Sequence, residues 1–353
     1  MKDKIKLLVG GGIIGLIALI LVAHGNPANM GFCIACFLRD MAGGLGLHRA
    51  EAVQYIRPEI VGLVLGALLM AVGRKEFKAR GGSSPVLRFV MGFIVMVGAL
   101  MFLGCPLRMA LRLAGGDLNA LVGLVGFVAG IGVGVFFLHK GFSLKRSYTL
   151  GKLEGLATPV MLVGMLVLLL CSAGFLFFSE SGPGSMHAPI WMALVAGLVV
   201  GGICQLTRLC MVGGIRDVVL LKDWTLLMGF VGLIAVALIG NVILGKFNLG
   251  FEGQPVAHMD GLWNFLGLAV VGFGSVLLGG CPLRQLILTG EGSSDSAVAV
   301  LGMFVGAACC HNFGLASSAA GPTANGKVAV ILGLVVLAVI AVFNSGLVKK
   351  ERA

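Results

Sequence analysis

Four cysteines sit in two sequence patterns, each of which occurs twice. Cys33 lies in GFCIACFLRD and Cys210 in TRLCMVGGIRD, while Cys105 and Cys281 each follow a glycine in GCPLR. A thiol is soft and polarizable, and it donates and accepts weak hydrogen bonds. In GCPLR the proline lacks an N–H and suits the first turn of a helix, so one helix should end near Gly104 and another begin at Pro106, with the same break at Gly280 and Pro282. The thiols of Cys105 and Cys281 then stand beside helix N-termini, whose free N–H groups attract anions. A small anion bearing sulfur or selenium is the natural match.

Other residues in the patterns carry charge or further thiols. Arg39 and Arg216 directly precede Asp40 and Asp217, so pairing with the neighbouring acid, or capping, is the plain reading. Arg108 and Arg284 have no acid beside them; they either steer an anion or extend to lipid headgroups. Cys36 makes a C-x-x-C with Cys33, a pattern able to bind metal or close a disulfide, yet Gly213 occupies the matching place in the other half. A single C-x-x-C without a second ligand pair does not make a zinc site, so no metal and no cofactor is expected. Cys171, Cys204, Cys309 and Cys310 lack counterparts and are read as packing residues, and His311 and Asn312 as interfacial.

The spacing of the patterns shows what must hold them. Cys33 and Cys210 are separated by 210 − 33 = 177 positions, and Cys105 and Cys281 by 281 − 105 = 176. Two motifs that keep one spacing across half the chain indicate a duplication. The 353 residues are 58% hydrophobic and only 12% charged, against roughly 25% charged residues in soluble domains. A water-soluble enzyme is thereby excluded, and nothing suggests nucleic-acid binding.

A helix needs about 20 apolar residues to cross a bilayer. Ten segments approach this: 7–24, 58–73, 87–104, 119–138, 155–177, 189–206, 225–245, 262–280, 297–312 and 327–346. The first is read as a retained helix, since no small-residue cleavage site follows it. Segments 25–57 and 105–118 contain short apolar pieces expected to enter the membrane and turn back against protein. Gly126, Gly130 and Gly134 recur at a spacing that allows close helix crossing.

Orientation follows from the bases. Lys2, Lys4 and Lys6, then Arg74, Lys75, Lys78 and Arg80, then Lys140, Lys145, Arg146 and Lys152, and finally Lys349, Lys350 and Arg352 fall on one side of a ten-span chain. Connections 178–188, 246–261 and 313–326 carry only Lys246. Both termini are therefore expected in the cytoplasm. Five spans per half start the second half on the opposite face, so the repeats are inverted. The expected fold is an all-α polytopic membrane protein of about ten transmembrane helices plus short re-entrant helices, its two inverted repeats covering 1–178 and 179–353.

NPANMGFCIACFLRD, the two GCPLR pieces and RLCMVGGIRD resemble the YeeE/YedE sulfur-transport family, and the flanking sequence resembles its YedE subgroup of selenium transporters. The resemblance covers nearly the whole chain. It implies a bacterial inner-membrane permease, not an enzyme, that takes up a small selenium or sulfur anion such as thiosulfate. It also implies membrane lipid and a cytoplasmic sulfur or selenium carrier protein as partners. By motif, the substrate path of such transporters falls on Cys33, Cys105 and Cys281, with Cys210 as the counterpart of Cys33; Cys36, Arg108, Arg284, Arg39 and Arg216 are secondary candidates. The competing function is a membrane thiol–disulfide oxidoreductase using Cys33 and Cys36.

Overall fold

A computed structural model describes residues 2–347. Lys349, Lys350 and Arg352, which entered the orientation reading, lie outside the described residues. Among those described, the first half runs α1 (Lys2–Ala23), α2 (Ile34–Gly44), α3 (Pro58–Gly73), α4 (Pro85–Phe102), α5 (Pro106–Ala114), α6 (Leu118–His139) and α7 (Lys152–Leu170). The second runs α8 (Ile190–Thr207), α9 (Met211–Leu221), α10 (Leu227–Ile243), α11 (Gly261–Leu278), α12 (Pro282–Gly290), α13 (Ser294–Asn312) and α14 (Ala324–Phe343). The order of long and short helices is the same in both halves.

Among the described residues, nine stretches are long and apolar enough to cross a membrane, and the 17-residue apolar α10 adds a further helix at one of the expected spans. The chain is an all-α polytopic membrane protein. Its outward helix faces carry valine, leucine and phenylalanine side chains, such as Val125, Phe136, Val160 and Val335. In water such a continuous apolar surface would drive aggregation; in a bilayer it is the solvated face.

Proline and left-handed caps set the boundaries that matter here. Pro58, Pro85, Pro106 and Pro282 each open a helix, where the missing N–H has no cost. Helix α4 ends at Leu103 with φ +61°, and α11 ends at Gly279 with φ +82°. Each left-handed residue stops its helix just before a GCPLR motif.

One expected span is shorter than its hydropathy suggests. Helix α7 stops at Leu170, and Ser172 turns with φ +47°. The apolar residues that follow leave the helix and lie on the end of α2: the N–H of Phe177 donates to the Gly44 carbonyl at 2.9 Å, and Ser179 N–H to Gln54 at 2.9 Å. The Phe177 ring also receives the Arg49 guanidinium, 4.1 Å from its centre. Hydropathy alone does not separate a span from an apolar segment docked on protein.

Four pairs of long helices form the core: α1 with α10, α3 with α8, α4 with α13 and α6 with α11. Each pair closes backbone to backbone through glycine. A Cβ on Gly126 or Gly130 would strike the carbonyls of Phe265 and Ala269, and one on Gly134 would strike Val276. These successive contacts show that α6 and α11 run parallel. By contrast α1 and α8 run antiparallel: Lys6, near the start of α1, donates to the Leu206 carbonyl near the end of α8 at 3.4 Å, while Asn26, just past the end of α1, accepts the Ala188 N–H, just before α8, at 2.8 Å.

Candidate functional site

All four motif cysteines occupy the same structural position, the residue that caps the N-terminus of a short helix. Cys33 caps α2, Cys105 caps α5, Cys210 caps α9 and Cys281 caps α12. The sequence placed Cys105 and Cys281 beside helix starts; the structure puts Cys33 and Cys210 there too. The Cys33 sulfur accepts the Cys36 N–H at 3.4 Å, and the Cys210 sulfur accepts the Gly213 N–H at 3.3 Å.

The short helices then meet in pairs, tip to tip. The Cys105 thiol neighbours Cys33, with the Ala35 backbone of α2 and the Arg108 backbone of its own helix beside it. The Cys281 sulfur lies 3.8 Å from the Cys210 sulfur, with the Met211 backbone of α9 and the Arg284 backbone of its own helix beside it. Each half thus builds one thiol pair at the convergence of two helix N-termini. Two positive dipole ends aimed at one point favour an anion there, and the thiols add soft contacts. All four cysteines are free and buried. In the first half Cys36 joins the pair, its sulfur 2.9 Å from that of Cys33.

The arginines behave differently from one another. Arg108 is fully buried and extends to no headgroup, which removes that reading of it. Its guanidinium donates to the carbonyls of Leu103, Pro255 and Val256 and reaches the Cys36 sulfur at 3.8 Å. Its Nε finds no partner, and among the described residues no carboxylate pairs with it. Arg284, its counterpart, gives Nη2 to Glu291 at 3.4 Å and leaves Nη1 unpartnered. Arg39 and Arg216 bind their adjacent acids: Arg39 reaches Asp40 at 2.7 Å and Arg216 reaches Asp217 at 2.8 Å.

A cavity of about 30 Å³, room for about one water, lies where α1, α5 and α10 meet, and none of the motif cysteines lines it. It is lined by Gly31, two residues from Cys33, by Lys246, and by Pro255, whose carbonyl holds Arg108. At the second pair, charge extends to the surface instead. Glu291 also binds Arg208 at 2.9 Å and Arg80 at 3.2 Å, and Arg208 binds Glu76 at 2.8 Å. The hydrogen bond from Arg74, with Arg208 close by, holds the Glu76 carboxyl below the usual carboxylate range.

Residues 206–349, which hold the second thiol pair with Arg216 and Arg284, match the sequence profile described as sulphur transport. The chain resembles the sulphur-transport family over this segment. It is 33% identical over 118 residues to the thiosulfate transporter TsuA of Spirochaeta thermophila, and 27% identical over 115 residues to the thiosulfate transporter TsuA of Escherichia coli. Both alignments take in 33% of this chain, and they span 35% and 32% of those relatives, about a third of their length.

Several charged groups escaped the sequence reading. Arg57 grips Asp40 from the side opposite Arg39, at 2.7 Å, and reaches the carbonyls of Pro183 and Met186. Arg112 pairs with Asp117 at 2.6 Å and caps the Phe102 carbonyl. Buried Glu59 accepts from Asn26 at 2.9 Å. The available signal was the charge itself, because an ionisable group within apolar sequence demands a partner.

Proposed function

We propose that the chain is a permease carrying a small sulfur- or selenium-containing anion across the bacterial inner membrane along Cys33, Cys105, Cys210 and Cys281. The observation that carries this reading is the doubled site, in which each half joins two thiols, two helix N-termini and one guanidinium with an unpartnered N–H. A dipole end and a guanidinium attract the charge of an oxyanion, while the thiols make the soft contact that a terminal sulfur or selenium accepts. No covalent step is required of them. Residues 1–178 and 179–353 act as inverted repeats, both termini are cytoplasmic, and the anion passes from the first thiol pair to the second and on to a cytoplasmic carrier protein. The antiparallel run of α1 and α8 supports the inversion, and the helix pairing supports the repeat itself, since exchanging the halves converts α1–α10 into α8–α3 and α4–α13 into α11–α6. The similarity to thiosulfate transporters supports the substrate class.

The proximity of the Cys33 and Cys36 sulfurs favours one second reading, a thiol–disulfide exchanger. Gly213 leaves the second pair without that dithiol, which favours transport. Uptake of thiosulfate, selenite and sulfite into proteoliposomes by wild type and Cys36→Ser separates the two. A permease keeps substrate-dependent uptake without Cys36, whereas an exchanger loses its activity and shows no uptake in either form.

A further inference from the structure

The two thiol pairs match in sulfur but not in charge. At the first, Arg108 has only carbonyls and a thiol around it, and the nearby Arg112 is already neutralised by Asp117. At the second, Arg284 meets Glu291, the residue that ends α12. The residue with the same role at the end of α5 is Gly115, so this acid belongs to the second half alone.

Glu291 does not depend on Arg284 for its position. Its Oε1 takes Arg80 at 3.2 Å and its Oε2 takes Arg208 at 2.9 Å, both closer than Arg284 at 3.4 Å. Arg284 is therefore the most weakly held of the three and the one able to leave. Its free Nη1 is buried, and its side chain packs on Gly280, the residue directly before Cys281. Arg208 and Arg80 are exposed, at 43% and 40%, whereas Arg284 is only 12% exposed, so the cluster leads from a buried cation to solvent-facing ones.

We propose that Glu291 is a built-in counter-anion that competes with the transported anion for Arg284, and so makes the second thiol pair a release site where the first is a capture site. This rests on the transport reading above. An anion arriving at Cys210 and Cys281 draws Arg284 away from Glu291, which Arg80 and Arg208 retain. When Arg284 returns to Glu291, the anion loses its charge partner and leaves past Arg208. Glu291 is thus a positioning residue: it acts through Arg284 and does not itself hold the substrate.

The test compares wild type, Glu291→Gln, Glu291→Asp and the double variant Glu291→Gln/Arg284→Gln. Binding to purified protein and uptake into proteoliposomes are measured with thiosulfate, selenite and sulfite in turn. Two ligands of one arginine should be coupled by about fivefold or more. Glu291→Gln should therefore bind the transported anion at least about fivefold more tightly while its turnover falls by a similar factor. Glu291→Asp should stay near wild type in both, and the double variant should lose the tightening. Opposite changes in affinity and turnover distinguish competition from misfolding, which weakens both. Unchanged affinity in Glu291→Gln, or weaker binding with lost turnover, overturns the proposal while leaving transport intact. If wild type neither binds nor moves any of the three anions, the transport reading falls, and this proposal falls with it.

Discussion

The sulfur of Cys210 lies 3.8 Å from the sulfur of Cys281, across 71 positions of sequence. Helix α9 brings one thiol and α12 the other, each as the residue before the helix begins. The same arrangement joins Cys33 to Cys105 through α2 and α5. A packing cysteine needs only an apolar neighbourhood; four cysteines that all precede short helices and meet in two pairs are the basis of the proposed site.

The helix seams should tolerate no added bulk. Gly130→Ala places a methyl on the Ala269 carbonyl, and such overpacking costs about 1–3 kcal/mol. Gly132, on the same helix, has nothing within 4 Å of a Cβ. Gly132→Ala should therefore be neutral or gain up to about 1 kcal/mol from helix propensity. Thermal unfolding in detergent should lower the midpoint for the first variant and not the second.

Asp40 and Asp217 occupy matching positions in unequal surroundings. Asp40 is fully buried between Arg39 and Arg57, whereas Asp217 and its partner Arg216 are partly exposed. Asp40→Asn leaves two buried guanidinium groups without their counter-ion and should cost about 3–5 kcal/mol. Asp217→Asn should cost no more than about 1 kcal/mol. Unfolding midpoints measured side by side check the difference, and equal losses would contradict it.

Much of this is legible in the sequence alone. Pro106 and Pro282 announce helix starts after a break, and the offset between Cys33 and Cys210 matches two cysteines that each precede a short helix, because both depend on local chemistry and spacing. What the sequence hides is long-range. Nothing near Arg284 predicts that Glu291, one helix length on, shares it with Arg80 and Arg208 from distant segments. The apolar run ending at Phe178 reads as span because hydropathy is blind to what covers a segment; here part of the cover is the end of α2.

The proposed inversion of the halves implies opposite access. Cys33 or Cys105 should react faster with a membrane-impermeant thiol reagent applied outside, and Cys210 or Cys281 faster with reagent applied inside. Single-cysteine variants in oriented vesicles check this by labelling rate. Labelling of all four from one face would remove the inversion.

The most direct measurement of the central claim is anion uptake into proteoliposomes by Cys105→Ser and Cys281→Ser. Serine keeps hydrogen bonding in a similar volume but lacks the soft, polarizable sulfur. Because only one atom changes in each, expression and unfolding midpoint should stay close to wild type. If the thiols carry a sulfur or selenium anion, each variant should lose most uptake of whichever of thiosulfate, selenite or sulfite the wild type transports. Near-normal uptake by both would show that the thiols only fill space, and would leave Arg108, Arg284 and the helix ends as the anion path.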